Sequence, residues 1–151
     1  HSGGVGPHQP LPRHEALMNS ALALQQAMRT ALLADTALIT LLGGAHVFDE
    51  VPRGEPPLFV SFANIETRDW SVMDEKAHEH FITLDVATNE RGRALAQNIC
   101  NRIEAVLDNA ALTLTGHRLV NLRLVFWSVA RAKSDPKFGA TLRFRAATEP
   151  L

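Results

Sequence analysis

The sequence predicts an α+β fold: a single, mostly antiparallel sheet of four or five strands, with two long helices packed on one face. Three observations lead there. The chain has 151 residues and is 46% apolar, which suits one domain with a real core. Helical periodicity occupies the N-terminal segment and one later stretch, while the segments between and after them alternate as strands do. The links between strand-like segments are short, which favours antiparallel neighbours.

The elements follow in order. Residues 1–17, "HSGGVGPHQPLPRHEAL", are rich in Gly, Pro and His and have no apolar period. They are read as a disordered leader or foreign extension ahead of a domain at 18–149, with Met18 as a natural start. "NSALALQQAMRTALLAD" is a helix capped by Asn19 or Ser20, with Ala21, Leu24, Met28, Ala31 and Leu32 on one face. Asp35 or Thr36 caps a shorter helix, Ala37 to Leu42, which Gly43 and Gly44 end. A short strand around Val47–Phe48 precedes a Pro/Gly loop. The strand Leu58–Ile65 carries apolar side chains on both faces, which predicts cover on both sides.

A polar loop, residues 66–77, holds Trp70 and Met73. In "HEHFITLDVA", Ile82, Leu84 and Val86 share one face and Glu79, Thr83 and Asp85 the other. Thr88 or Asn89 caps the next helix, whose buried stripe is Leu95, Ile99, Ile103, Val106 and Leu107. "LTLT" is a short strand, Gly116-His117 a turn, and "RLVNLRLVFWSVAR" a long strand. Strict alternation points Val120, Leu122, Leu124 and Phe126 one way, and Leu119, Asn121, Arg123, Val125, Trp127 and Val129 the other. The last strand turns Ala140, Leu142, Phe144 and Ala146 inward and Thr141, Arg143 and Arg145 outward.

Composition narrows the function classes. A net charge of −1 argues against gross attraction to nucleic acid, and no apolar run approaches the length of a membrane span. One cysteine, Cys100, excludes an intrachain disulfide framework and fits folding in a reducing cytoplasm. Twelve of the fifteen basic residues are Arg, whose forked guanidinium suits protein interfaces.

Chemical motifs are weak. Arg91-Gly92-Arg93 opens a helix, but a phosphate loop wants several converging glycine amides and usually a Lys and a hydroxyl. His78 and His80 share a strand face and could hold a metal, yet no third ligand stands at fitting spacing. Cys100 sits mid-helix with no activating group assigned to it. His46 and His117 lie at turns, and Asp49-Glu50 and Asp74-Glu75 read as solvated loop charge. The expectation is no catalytic residue, no cofactor and no metal.

Charge layout says more. Asp49 to Glu90 holds ten acids and three bases, a net −7; Gly116 to Thr148 holds seven bases and one acid, a net +6. The halves can pair within one molecule, or between copies head to tail, which closes rings or propagates filaments. Nucleic-acid binding is disfavoured, since the long strand offers one outward aromatic and no stacking platform. Its outward register is too apolar for water and too polar for a core, as interface patches are.

The opening helix with "LLADTALITLLGG", then "VFDEVPRGEPPLFVSF", "ITLDVATNERGRALAQNICNRIEAVLD" and "LTLTGHRLVNLRLVFWSVARAKSDPKFGATLRFRA", resembles the tail-completion or tail-terminator proteins of long-tailed phages and phage-derived gene transfer agents. Phe59 stands where a tyrosine is expected, and Ala87-Thr88 replaces a more usual aromatic-polar strand end. The resemblance implies a homo-oligomeric ring, usually a hexamer, on the head-proximal end of the tail tube. It also implies the tube protein and a head-tail connector as partners, and a place in a virion assembled in the bacterial cytoplasm. No membrane and no sequence-specific nucleic acid are expected. The outward strand face nominates Leu119, Arg123, Val125, Trp127, Arg143 and Arg145 as interface. The loops nominate Arg68, Trp70, Met73, Lys133 and Lys137 for the tube or connector. The alternatives are a head-tail adaptor, a minor tail protein, or a small α+β ligand-binding or enzymatic domain.

Overall fold

A computed structural model describes residues 12–89, 93–131 and 137–151. Helix α1 spans Arg13–Leu33. It starts before the expected Asn19/Ser20 cap, so residues 13–17 are helical. Ser20 is buried instead, its hydroxyl donating to the Leu17 carbonyl at 2.9 Å and meeting His78 Nδ1 at 2.7 Å. Ala23, Leu24, Met28 and Leu32 bury the face toward the sheet. Helix α2, Thr36–Leu42, is capped by Asp35, whose carboxylate accepts the Leu38 N–H at 3.0 Å, and ends at Gly43 with φ 78°.

Strands β1 (Val47–Phe48), β2 (Phe59–Asp69), β3 (His78–Ala87), β4 (Thr113–Leu114), β5 (His117–Arg131) and β6 (Phe138–Pro150) form one sheet in the order β1-β2-β3-β6-β5-β4. Six strands replace the four or five expected, because the two-residue β1 and β4 join as edges. β1 runs parallel to β2, and every other pairing is antiparallel. Helix α3 spans Ala94–Leu107. It packs with α1 on one face of the sheet, and the short α2 packs on α1 and α3 and adds to the same core, so three helices, not the two long ones alone, stand on that side. Among the described residues no helix is long and apolar enough to cross a membrane.

The cap expected for α3 is not at Thr88 or Asn89: the N-cap is Arg93, without a side-chain cap bond. Thr88 is buried and donates to the Phe138 carbonyl at 2.6 Å, tying the end of β3 to β6. Arg91 and Gly92 lie outside the described residues, while Arg93 stacks its guanidinium 5.2 Å from the Phe138 ring centre. Arg102 of α3 clamps the α2 cap, with Nη2 2.7 Å from Asp35 Oδ1 and Nε 3.0 Å from Oδ2. The core gathers Val60, Phe62, Ile82, Leu84, Leu122, Leu142 and Phe144 from the sheet against Leu24, Met28, Ile99 and Ile103. Each fully buried side chain of this size contributes about 1.5–3 kcal/mol.

Three β-bulges change which way side chains point. On β2 the register shifts between Phe62 and Asn64. That shift explains the apolar residues on both parities, since Ile65 moves to the helix side as the partner of Ile82. On β5 shifts occur between Leu119 and Asn121 and between Leu124 and Phe126. Each bulge inserts one residue and reverses the alternation beyond it.

Candidate interaction surface

The sheet's other face carries no helix among the described residues. Its central feature is Glu79, which is 4% exposed although it points away from the core. Arg145 Nε donates to Glu79 Oε2 at 2.6 Å, and Arg68 bonds Oε1. Burial opposes ionisation, but the hydrogen bonds from Arg145 and Arg68 hold the carboxyl below its usual range. Trp70 lies over the Arg145 guanidinium at 4.9 Å, and Arg143 lies 5.0 Å from the Phe81 ring centre and 3.6 Å from Glu66. Acidic and basic halves therefore pair within the molecule here, because β3 and β6 are neighbours.

Toward one end of this face the side chains shrink. Ser61, Ala87, Ser128, Ala130, Gly139 and Thr141 line a hollow of about 580 Å³. Val125 and Phe126, a few residues before Ser128 on β5, are 51% and 53% exposed. Phe126 pairs with Arg143, so the second bulge turns it onto the helix-free face.

The two β5 shifts also correct the alternation reading at Leu119, Trp127 and Val129, the first shift at Leu119 and the second at the other two. Trp127 pairs with Leu142 and Leu119 with Thr148, both on the helix-covered side. Trp127 lines a 300 Å³ pocket with Gln97, Cys100, Asn101 and Glu104 of α3, and is 49% exposed. Val129, also expected outward, pairs with Ala140 on the helix side. Arg123, Val125, Arg143 and Arg145 remain on or beside the helix-free face. Of these, Arg145 is engaged by Glu79, and Arg123 Nε lies 3.4 Å from Asp108. The signal for the bulge is the unbroken run "LVFW", which no two-residue alternation accommodates.

Three of the five loop candidates, Arg68, Trp70 and Met73, lie at or beside the tip of the β2–β3 hairpin. Val72 and Glu75 exchange backbone hydrogen bonds at 3.0 Å, and Met73 occupies a left-handed conformation (φ 57°) with 98% exposure. Trp70 flanks this tip, and Arg68 is held back by Glu79. Lys137 is exposed at the start of β6, while Lys133 lies outside the described residues.

The candidate metal pair is otherwise occupied. His80 is fully buried, with Nδ1 2.7 Å from Thr67 Oγ1 and Nε2 2.8 Å from Thr148 Oγ1. Burial, then the neighbouring His78 and His117, push its pKa down to about 4. Among the described residues no group of three or more His, Cys, Asp or Glu could hold a metal. Cys100 is buried in α3, which pushes its thiol up to about 11, away from thiolate chemistry.

The chain matches no curated protein. A solved chain from the structure "Virion of native gene transfer agent (GTA) particle" superposes with a TM-score of 0.79 at 31% identity, covering 85% of this chain and 96% of that one. The family model "Tail completion protein gp17" matches residues 26–149, which include all of the sheet but its last residue and all of α3. This sheet with three helices on one face and an open opposite face thus belongs to the tail completion protein gp17 family, and the chain is a structural component of a virion tail.

Proposed function

We propose that the chain is a tail terminator: copies of it form a ring, with six subunits as the resemblance implies, that caps the head-proximal end of the tail tube and joins tail to head. The observation that carries this reading is the helix-free sheet face. Val125 and Phe126 are half exposed beside Arg123 and Arg143, a mixture that water and a core both disfavour and that a second subunit accommodates. Family membership and the likeness to a chain of a gene transfer agent virion support a tail role. The action is geometric, and no residue is assigned to catalysis.

The ring contact is drawn through Arg123, Val125, Phe126 and Arg143. Trp127 lies beside α3 and Leu119 packs against the core, both supporting that strand from the helix side. The hairpin tip with Trp70 and Met73 is the proposed reach toward the tube or connector, because a fully exposed apolar side chain at a rigid turn is poised for a partner. Lys137 marks the opposite end of the sheet, where the second partner would sit.

Native mass spectrometry with negative-stain imaging tests the reading. The unmodified chain is expected to form closed rings. Combining Arg143→Glu with Phe126→Asp should raise the concentration for assembly by about tenfold or more while the circular dichroism spectrum is unchanged. Rings of normal yield from the double variant would remove this face from the proposal.

A further inference from the structure

The sheet has two long strand edges that no other described strand covers. β1 pairs only with Val60 and Ser61, which leaves Asn64–Asp69 of β2 without a described strand on its outer side. β4 pairs only with His117 and Arg118. Beyond it, the Leu122 carbonyl accepts from Asn109 N–H at 2.7 Å and the Leu124 N–H donates to Asp108 Oδ1 at 2.8 Å. Past those two bonds, Val125–Arg131 has no described strand on its outer side. Edges left in water are usually short or broken by charge and proline. This one runs Val-Phe-Trp-Ser-Val-Ala before its first charge, Arg131.

Backbone parity is fixed by the same bonds. Leu122 and Leu124 present their backbone groups to the edge, and carrying the alternation past the bulge does the same for Trp127, Val129 and Arg131. On β2, Val60 presents its N–H outward to His46, and beyond the bulge Ile65, Thr67 and Asp69 follow.

We propose that Val125–Arg131 of one copy adds as a strand to the free β2 edge, Asn64–Asp69, of a second copy, so that one sheet runs on from subunit to subunit. This rests on the ring reading and names the contact that holds the ring. Three features select this occupant. The strand order makes β5 and β2 opposite in direction, so a sheet continued in the same sense pairs them antiparallel. The β5 stretch carries one charge, Arg131, and the β2 stretch a net −1, Glu66 and Asp69 against Arg68; antiparallel pairing brings Arg131 to the Ile65–Glu66 end, whereas pairing β5 with itself would offer its arginines no acid. Two different edges make a head-to-tail contact, the kind that closes a ring. The register adds a constraint. Ile65 is level with Leu124 and Asp69 with Leu119, so the free stretches lie at opposite ends of the sheet. Pairing them offsets neighbours by about six residues, ~20 Å, along the strands. A ring absorbs such an offset only if its strands tilt from the axis, as in barrels.

The test uses the full chain. Val129→Pro removes an outward N–H and leaves the β5–β6 ladder intact, and Val129→Thr is the control. The proline variant should stay folded by circular dichroism and remain monomeric, while the threonine variant forms rings. Hydrogen exchange on the unmodified chain is the second measurement: amides of Trp127, Val129, Arg131, Ile65, Thr67 and Asp69 should slow at least tenfold on assembly. It decides if the proline variant does not fold. Normal rings from Val129→Pro, or rings with unchanged exchange at the six amides, would overturn the edge pairing and leave the ring reading standing; dimers protected at β5 alone would overturn both. A chain that never assembles would overturn both.

Discussion

The central and outer strands of this sheet are built from similar residues and behave differently. β3 and β6 pair from His78↔Thr148 to Ala87↔Gly139 without a shift, while β2 contains one bulge and β5 two. A central strand is bonded on both sides, so an extra residue would break two ladders at once. An outer strand gives up bonds on one side only and can host the insertion. The centre therefore stores stability in regular packing, and the flanks use irregularity to re-aim side chains and free an edge.

The largest effect should come from the centre. Phe144→Ala removes a fully buried ring from β6 and should cost about 3–5 kcal/mol in urea unfolding, whereas Phe126→Ala, at the bulge, should cost about 1 kcal/mol or less. Equal losses would dissolve the distinction between the two regions.

A second test uses acid. His80 sits on β3 with a folded pKa of about 4 against an ordinary 6.5. Between those values the unfolded chain binds the extra proton, so stability is complete above about pH 6.5 and falls as pH drops toward 4. The loss by the bottom of that window is on the order of 3 kcal/mol. His78, also lowered, mainly by burial, acts in the same direction. Denaturant titrations at pH 7 and pH 4.5 should show a steep decline in the unmodified chain and a shallower one in His80→Gln. Identical slopes would mean that the buried imidazole does not carry the dependence.

The smallest effect lies at the flank. Asp108→Ala leaves the Leu124 N–H without its acceptor and should cost about 1 kcal/mol. Hydrogen exchange should accelerate at Leu124 and stay slow at Leu84. Acceleration at both would indicate that the edge is not a separate region.

Legibility followed the same division. Ile82, Leu84 and Val86, and Ala140, Leu142, Phe144 and Ala146, alternate without interruption, and each group lies on the helix side as its spacing indicates. The stripe of α3 is read correctly at Ile99, Ile103 and Leu107, and the cap of α2 at Asp35. Trp127 and Leu119 were misplaced because parity counting cannot see an inserted residue. Arg145 looked free in sequence because Glu79 is 66 positions away along the chain. Ser20 looked like a cap because its actual partner, His78, is 58 positions away.

By itself the sequence determined the order and type of the elements, the inward faces of the uninterrupted strands and the division of charge, since these depend on neighbours a few residues apart. Only the tertiary structure decided where the outer strands bulge, which arginines are already paired and which edges stay open. Those outcomes depend on which strand lies alongside which, and on whether an extra residue costs one ladder or two.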